Sequence, residues 1–125
     1  MKKLFISCPI KGRTEENIRN SMARMHKMAE LFFDQELEVI PTYIEDNPPE
    51  NSDHAVWRLG ESIKKLAEAD YFIGIKYTEA FRGCYVESEV VRLYNIPCFL
   101  VDLDMMPDAL AIDNEYWNDQ RALEG

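Results

Sequence analysis

The segment DYFIGI, residues 70–75, is a near-continuous apolar run in the second half of the chain. A run of this length without alternating polar residues is typical of a strand that is covered on both faces. Three further apolar runs rich in strand-forming residues are KLFIS (3–7), LEVIP (37–41) and PCFLVD (97–102). We therefore predict four clear strands, of which segment 70–75 is doubly covered.

Amphipathic helices are predicted between these strands. Thr14 can cap the first helix, Ser52 or Asp53 can cap the second, and we expect the third to begin at Cys84. The residues expected on the buried faces are Ile18, Met22, Met25, Ala29 and Phe32, then Val56, Leu59, Ile63 and Leu66, then Val86, Val90 and Leu93. The resulting βαβαβαβ order implies parallel pairing, right-handed crossovers and a three-layer α/β sandwich.

The composition limits the classes of function. A chain of 125 residues with 46% hydrophobic residues fits one domain with a real core. The net charge of -9 argues against a nucleic-acid polymer or an anionic membrane as partner, because both need clustered Lys and Arg. Three cysteines without CxxC spacing fit neither disulfides nor zinc, so we expect buried thiols and a cytoplasmic protein.

Ligands of parallel α/β sheets bind beyond the carboxyl ends of the strands. The loop SCPIKGR (7–13) lies at such an end and brings a hydroxyl, a glycine and two cations to a helix N-terminus. It can hold a phosphate through Ser7, Arg13 and loop amides, or it can be an ordinary connection with solvated basic residues.

Glu87 follows Gly83 by four residues, where a second such loop opens into a helix. In the first turn the helix dipole would keep the carboxylate ionised, which suits a nucleophile but also a purely structural partner of the dipole. Glu89 is about 200° further around the helix and is expected to be structural. Cys84, at the same helix start, is a weaker candidate nucleophile if its pKa is lowered. Asp70 begins a strand, which favours a structural role.

Three segments, taken in order from residue 3 to 102, resemble the nucleoside 2-deoxyribosyltransferase-like superfamily: the first strand with SCPIKGR, AEADYFIGI, and RGCYVESEVVRLYNIPCFLV. The resemblance implies a flavodoxin-like (Rossmann-like) fold with a parallel sheet of four to five strands, and cleavage of an N-glycosidic bond. In this family the glutamate that matches Glu87 forms a glycosyl-enzyme intermediate, and the aspartate that matches Asp70 lies near the base. The chemistry needs neither metal nor redox cofactor.

Two positions depart from the transferases of this family, which often have a tyrosine where Ser7 stands and an acid where Phe81 stands. The first loop is more similar to the branch that hydrolyses deoxynucleoside 5′-monophosphates, and the whole chain resembles short phage and bacterial members of unknown function. The residues expected to bind substrate are Ser7, Cys8, Pro9, Lys11, Gly12, Arg13, Arg82 and Gly83.

We therefore expect a nucleotide N-glycosidase or a deoxyribosyltransferase that acts on a small nucleoside or nucleotide. The alternatives are a non-catalytic nucleotide-binding or sensing domain of the same fold, and a nicotinamide-dinucleotide glycohydrolase. The tail, residues 103–125, is acidic yet carries aromatic and aliphatic side chains, so it should pack on the domain or on a partner subunit. Because the family often completes its site with a neighbour's residues, we expect a homodimer or a higher homo-oligomer.

Overall fold

The fold is a parallel α/β sandwich. The computed structural model describes residues 1–10, 13–41, 47–76 and 81–102. Its elements are β1 (Lys2–Ile6), α1 (Glu15–Phe33), β2 (Leu37–Val39), α2 (His54–Leu66), β3 (Tyr71–Ile75), α3 (Arg82–Leu93) and β4 (Cys98–Val101). The four strands of the described part pair in the order β2-β1-β3-β4, all parallel. The predicted α/β class and its parallel sheet are confirmed.

The two faces of the sheet bury different sets of side chains, because successive residues of a strand point to opposite faces. On one face, the strand residues Leu4, Ile6, Ile73 and Ile75 pack against α1, which contributes Met25 and Ala29. On the other face, Phe5 and Phe72 lie opposite each other in register and stack at 5.8 Å between ring centroids. Leu66 of α2 and Val91 of α3 cover them. Helices on both faces complete the three layers.

Side chains cap two of the helices as predicted. Thr14 accepts a 3.1 Å hydrogen bond from the Asn17 amide at the start of α1. Asp53 accepts one of 3.1 Å from the Val56 amide at the start of α2. Each cap satisfies a backbone donor that the first helical turn leaves without an intrahelical partner.

The predicted buried faces are partly wrong. Val56 is 64% exposed, Leu93 is 62% exposed and Phe32 is 56% exposed. The third helix begins at Arg82 rather than Cys84, and its buried residues are Cys84, Glu87 and Val91. Of the predicted stripe, Val90 is partly buried against the core, whereas Val86 and Leu93 are exposed. The prediction placed only apolar residues on the buried face of α3 and assumed that glutamates are exposed. The predicted face was therefore rotated about the helix axis away from the face that contains Glu87.

The cysteines only partly match the expectation of buried thiols. Cys84 is buried, Cys8 is half-buried, and Cys98 is exposed on β4, the outermost strand of the sheet among the described residues, so the expectation is wrong for Cys98. All three are free thiols. A separate prediction, the packing of the tail, concerns residues 103–125, which lie outside the described residues. None of the helices in the described ranges is long and apolar enough to cross a membrane.

Candidate functional site

The site begins where the order of the strands reverses. The chain passes from β1 to β2 on one side and then returns to place β3 on the other side of β1. Ser7 follows β1 at this point, and its backbone N–H donates to the Ile73 carbonyl at 2.9 Å. Since ligands of such sheets bind at the crevice of this reversal, Ser7 is well placed to contribute to a site. Its side chain is nevertheless buried, at 2% exposure.

The carboxylate of Glu87 joins three elements of the fold. Its Oε1 accepts a 2.7 Å hydrogen bond from Ser7 Oγ, and its Oε2 accepts a 2.5 Å hydrogen bond from Ser62 Oγ. Ser7 follows β1, Ser62 lies on α2 and Glu87 lies on α3. Both carboxylate oxygens are thus held by hydroxyl donors, and the residue is 8% exposed.

The sequence analysis predicted Glu87 and Ser7 but missed Ser62. In the sequence, Ser62 is distinguished only by its position next to Ile63, at the border of the apolar face of α2. A serine in that setting is common and carries no motif. Its importance becomes visible only when α2 and α3 are packed side by side.

Burial raises the pKa of Glu87, and the hydrogen bonds from Ser62 and Ser7 oppose that rise. The predicted position in the first helical turn is wrong, because α3 begins at Arg82 and its first turn contains no acidic residue. The helix dipole acts mainly within the first turn. Hydroxyl donors, and not the dipole, therefore favour the ionised form of this carboxyl group.

The guanidinium of Arg13 is largely buried and bonds to other groups of the protein. The residue is 9% exposed, and its Nη1 donates to the Pro9 carbonyl at 2.8 Å. Its Nη2 donates to Ser21 Oγ at 2.5 Å, and weaker contacts reach Cys8 Sγ and the Asn17 carbonyl. These bonds tie the first loop to α1, so the geometry gives Arg13 a role in shaping the loop. Two other predicted phosphate ligands, Lys11 and Gly12, lie outside the described residues.

Arg82 and Gly83 form the open beginning of α3. Both are exposed, and no side chain of the described residues caps this helix at Phe81. A Cβ added at Gly83 would have no described atom within 4 Å. The first backbone N–H groups of a helix lack intrahelical acceptors and attract anions. The surroundings of Arg82 and Gly83 are therefore compatible with the phosphate contact that the sequence predicts.

Cys84 does not fit the role of a nucleophile. Burial raises the pKa of its thiol to about 12, so the predicted lowering of this pKa is wrong. A thiol with such a pKa is almost entirely protonated at neutral pH, and the thiolate is the reactive form. Glu89, two residues beyond Glu87, pairs with Arg92 at 2.7 Å and accords with its structural interpretation.

Asp70 lies at the amino ends of the strands, opposite to the carboxyl ends where Ser7 and Glu87 meet. Its Oδ2 accepts a 2.8 Å hydrogen bond from the Lys3 amide, and its own amide donates to the Lys3 carbonyl at 2.9 Å. Ser7, just beyond β1, is four residues after Lys3, which corresponds to roughly 13 Å along the strand at the usual rise per residue. The structure therefore does not bring Asp70 together with Glu87, and its contacts are those of a residue that pins the start of two strands.

The comparisons with known proteins add no neighbour. The chain matches no protein-family model, no curated protein and no solved structure.

In residues 1–10, 13–41, 47–76 and 81–102, no group of three or more His, Cys, Asp and Glu side chains is arranged to hold a metal ion. The arguments about function therefore rest on the Glu87 carboxylate and its surroundings.

Proposed function

We propose that this protein cleaves or transfers at the N-glycosidic bond of a nucleoside or a nucleoside 5′-monophosphate, with Glu87 as the nucleophile. One observation supports this above the others: the carboxylate lies beside Ser7, at the carboxyl edge of the sheet, and both of its oxygens are held by hydroxyl groups. Orienting a nucleophile before the substrate arrives lowers the entropic cost of attack.

The proposed reaction has two steps. In the first, an oxygen of Glu87 forms a bond to C1′ of the sugar while the C1′–N bond breaks, and the bonding electron pair leaves with the base. In the second, water or another base attacks C1′, and the ester bond to Glu87 breaks. The proton lost by the attacking water or base ends on the base released in the first step. The carboxylate is regenerated, and the product is a free sugar or a new nucleoside, or the corresponding 5-phosphate or nucleotide when the substrate is a 5′-monophosphate. Neither step requires a metal or a redox cofactor.

The structure changes the roles we propose for the substrate-binding residues. Ser7 donates its hydroxyl hydrogen to Glu87, so we assign it to the carboxylate rather than to a phosphate. Arg82 and Gly83, at the open start of α3, take the phosphate role together with Lys11 and Gly12 of the first loop. Cys8 and Pro9 contribute the backbone of that loop, which Arg13 fastens to α1.

A non-catalytic nucleotide-binding domain is the second candidate, and a specific observation favours it. Phe81 stands where the resembled transferases often have an acid, and its side chain is only 8% exposed. Together with the burial of Glu87, this describes a site with few groups available for chemistry. In this case a nucleotide would raise the thermal stability of the protein without being consumed.

The first experiment separates these two functions. The wild type and the Glu87→Gln and Glu89→Gln variants are incubated with each deoxynucleoside and its 5′-monophosphate, and free base is measured by chromatography. We expect release by the wild type and by Glu89→Gln, and a loss of roughly 10³-fold or more in Glu87→Gln. Equal release by the Glu87→Gln variant would remove Glu87 from the mechanism. A thermal shift without any release would support the binding domain.

A homodimer or higher homo-oligomer remains part of the proposal. It rests on the apolar content of residues 103–125 and on the resemblance, in which sites are often completed by a neighbour. Light scattering at two protein concentrations tests it. A monomer at both concentrations would contradict the prediction.

A further inference from the structure

Ser62 lies outside every motif that the sequence analysis identified, yet its hydroxyl contacts the central carboxylate. Its Oγ is 2.5 Å from Glu87 Oε2, while Ser7 holds Oε1 from the other side. Ser62 belongs to α2, which contributes no other residue to the proposed site within the described part of the chain. The bond therefore links a helix without an assigned function to the proposed nucleophile.

We propose that Ser62 is a positioning residue that fixes the orientation of the Glu87 carboxylate and favours its ionised form. Its consequence for catalysis rests on the function proposed above, whereas its effect on the ionisation of Glu87 does not. Two properties of the molecule support the role of Ser62: the charges around Glu87, and the hydrogen bonds that the two carboxylate oxygens need.

No cation of the described residues is hydrogen-bonded to Glu87 or forms an ion pair with it. The Cys84 thiol, on the same helix, interacts electrostatically with Glu87, and Cys8 and Arg13 of the first loop act in turn on that thiol. Arg13 directs its guanidinium towards the Pro9 carbonyl and Ser21 Oγ.

On α2, the charged groups near Ser62 are Arg58, one turn before it, Glu61 and Lys64, which pair with each other at 2.9 Å, and Lys65. None of these groups forms a hydrogen bond with the carboxylate within the described ranges. Within the described residues, the hydrogen bonds that favour the ionised form of Glu87 therefore come from two neutral hydroxyl donors, Ser62 and Ser7.

Each serine hydroxyl has a single hydrogen to donate, so neither serine can replace the other. Removing Ser62 would leave Oε2 of a buried carboxylate without its donor, and an unpaired charge in such a place is costly. Protonation avoids that cost. The loss of Ser62 should therefore raise the pKa of Glu87 further and let the carboxyl group rotate about its bond to Ser7.

The test measures the pKa of Glu87 directly, without any substrate. Protein labelled with ¹³C at the glutamate side-chain carboxyl is titrated by NMR, and the resonance absent from the Glu87→Gln variant identifies Glu87. The variants are Ser62→Ala, Ser62→Thr, which keeps the hydroxyl, and Ser62→Cys, which keeps a weaker donor. The matched control is Ser88→Ala, because the buried Ser88 hydroxyl is next to Glu87 and has no hydrogen-bond partner among the described residues.

We expect Ser62→Ala to raise the pKa of Glu87 by about one pH unit, the usual effect of losing a hydrogen bond to a charged group. Ser62→Cys should give a smaller rise, and it replaces the alanine variant if that variant does not fold. Ser62→Thr and Ser88→Ala should titrate like the wild type. A pKa that is unchanged in Ser62→Ala or Ser62→Cys, or changed equally in Ser88→Ala, would overturn the proposal.

Activity gives a second, separable readout. If the protein releases base, the acidic limb of its kcat/KM profile should move with the pKa measured by NMR. If no base is released but the NMR shift is found, the role of Ser62 in controlling Glu87 stands and the proposed glycosidic function fails. Release of base with an unchanged pKa in Ser62→Ala would support the glycosidic function and overturn the role of Ser62.

Discussion

The Ser7 hydroxyl donates a 2.7 Å hydrogen bond to Oε1 of Glu87, a residue 80 positions later in the chain. This bond joins the carboxyl end of β1 to the second turn of α3. It places a carboxylate at the point where the strand order reverses, where ligands of parallel α/β sheets bind. It also makes Ser7 part of the carboxylate's surroundings, although the sequence had suggested a phosphate ligand.

Removing the Ser7 hydroxyl should destabilise the protein. A Ser7→Ala variant leaves Oε1 of a buried carboxylate without its donor, at an expected cost of about 1–3 kcal/mol in the free energy of unfolding. The matched control is Ser52→Ala, which loses an exposed hydroxyl bond to the Pro49 carbonyl and should change stability by less than about 0.5 kcal/mol. Urea denaturation measures both. Equal effects would show that the Ser7 bond contributes no more to stability than an exposed hydroxyl bond does.

The stability of the protein should depend on the ionisation of Glu87. Burial raises the pKa of this carboxyl group in the folded state above its value in the unfolded chain, which is near 4.5. The resulting contribution to stability is therefore complete below about pH 4.5 and is lost as pH rises through the folded pKa. The Glu87→Gln variant lacks this titration.

The melting temperature of Glu87→Gln, measured from pH 4 to pH 8, should gain on that of the wild type as pH rises. The Glu89→Gln variant is the control for a surface carboxyl, because Glu89 lies on the exposed side of α3. A constant difference between wild type and Glu87→Gln at every pH would contradict the raised pKa.

Gly83 and Gly74 should respond oppositely to alanine. Within the described residues, no atom lies within 4 Å of a Cβ added at Gly83, which is at the exposed start of α3, so Gly83→Ala should stabilise the protein by at most about 0.5–1 kcal/mol. At Gly74 the Cβ would lie 2.7 Å from the Phe72 ring, so Gly74→Ala should destabilise the protein.

If a phosphate binds at the start of α3, Gly83→Ala should also weaken nucleotide binding in a thermal-shift titration. Unchanged binding would remove Gly83 from the proposed site.

Arg13 should matter for stability more than for ligand affinity. Its guanidinium bonds to the Pro9 carbonyl and to Ser21 Oγ inside the protein. Arg13→Ala should therefore cost about 2–4 kcal/mol in the free energy of unfolding, by leaving buried polar groups without partners. The exposed Arg19, which pairs with Glu15, is the control, and Arg19→Ala should be nearly neutral. Unchanged stability with weakened binding of a nucleoside monophosphate would restore Arg13 as a phosphate ligand.

Much of the fold follows from local patterns. Apolar runs such as 70–75 predict strands, and the alternation with helices predicts their parallel pairing. Thr14 and Asp53 mark helix starts through hydrogen bonds that span only three residues. These features depend on neighbours in the sequence, which is why the sequence alone was sufficient to predict them.

The candidate site was predicted only in part, because its contacts are long-range. Glu87 was found from its position after a glycine in a loop at the carboxyl edge of the sheet. Ser62 was not, because its bond to Glu87 depends on how α2 and α3 pack across the sheet. The inward direction of Arg13 depends in the same way on Ser21, two turns into α1. A charged residue in a loop suggests a binding site for a ligand, but the direction in which its side chain points is set by tertiary packing.

The central claim is that Glu87 bonds covalently to the sugar. A deoxynucleoside 5′-monophosphate with fluorine at C2′ should trap this state, because the electron-withdrawing fluorine slows both steps through the oxocarbenium-like transition state. Intact-mass spectrometry followed by peptide mapping should then find one glycosyl adduct, on Glu87, in the wild type and none in the Glu87→Gln variant. Release of base from natural substrates with no adduct, or with an adduct on another residue, would contradict the account.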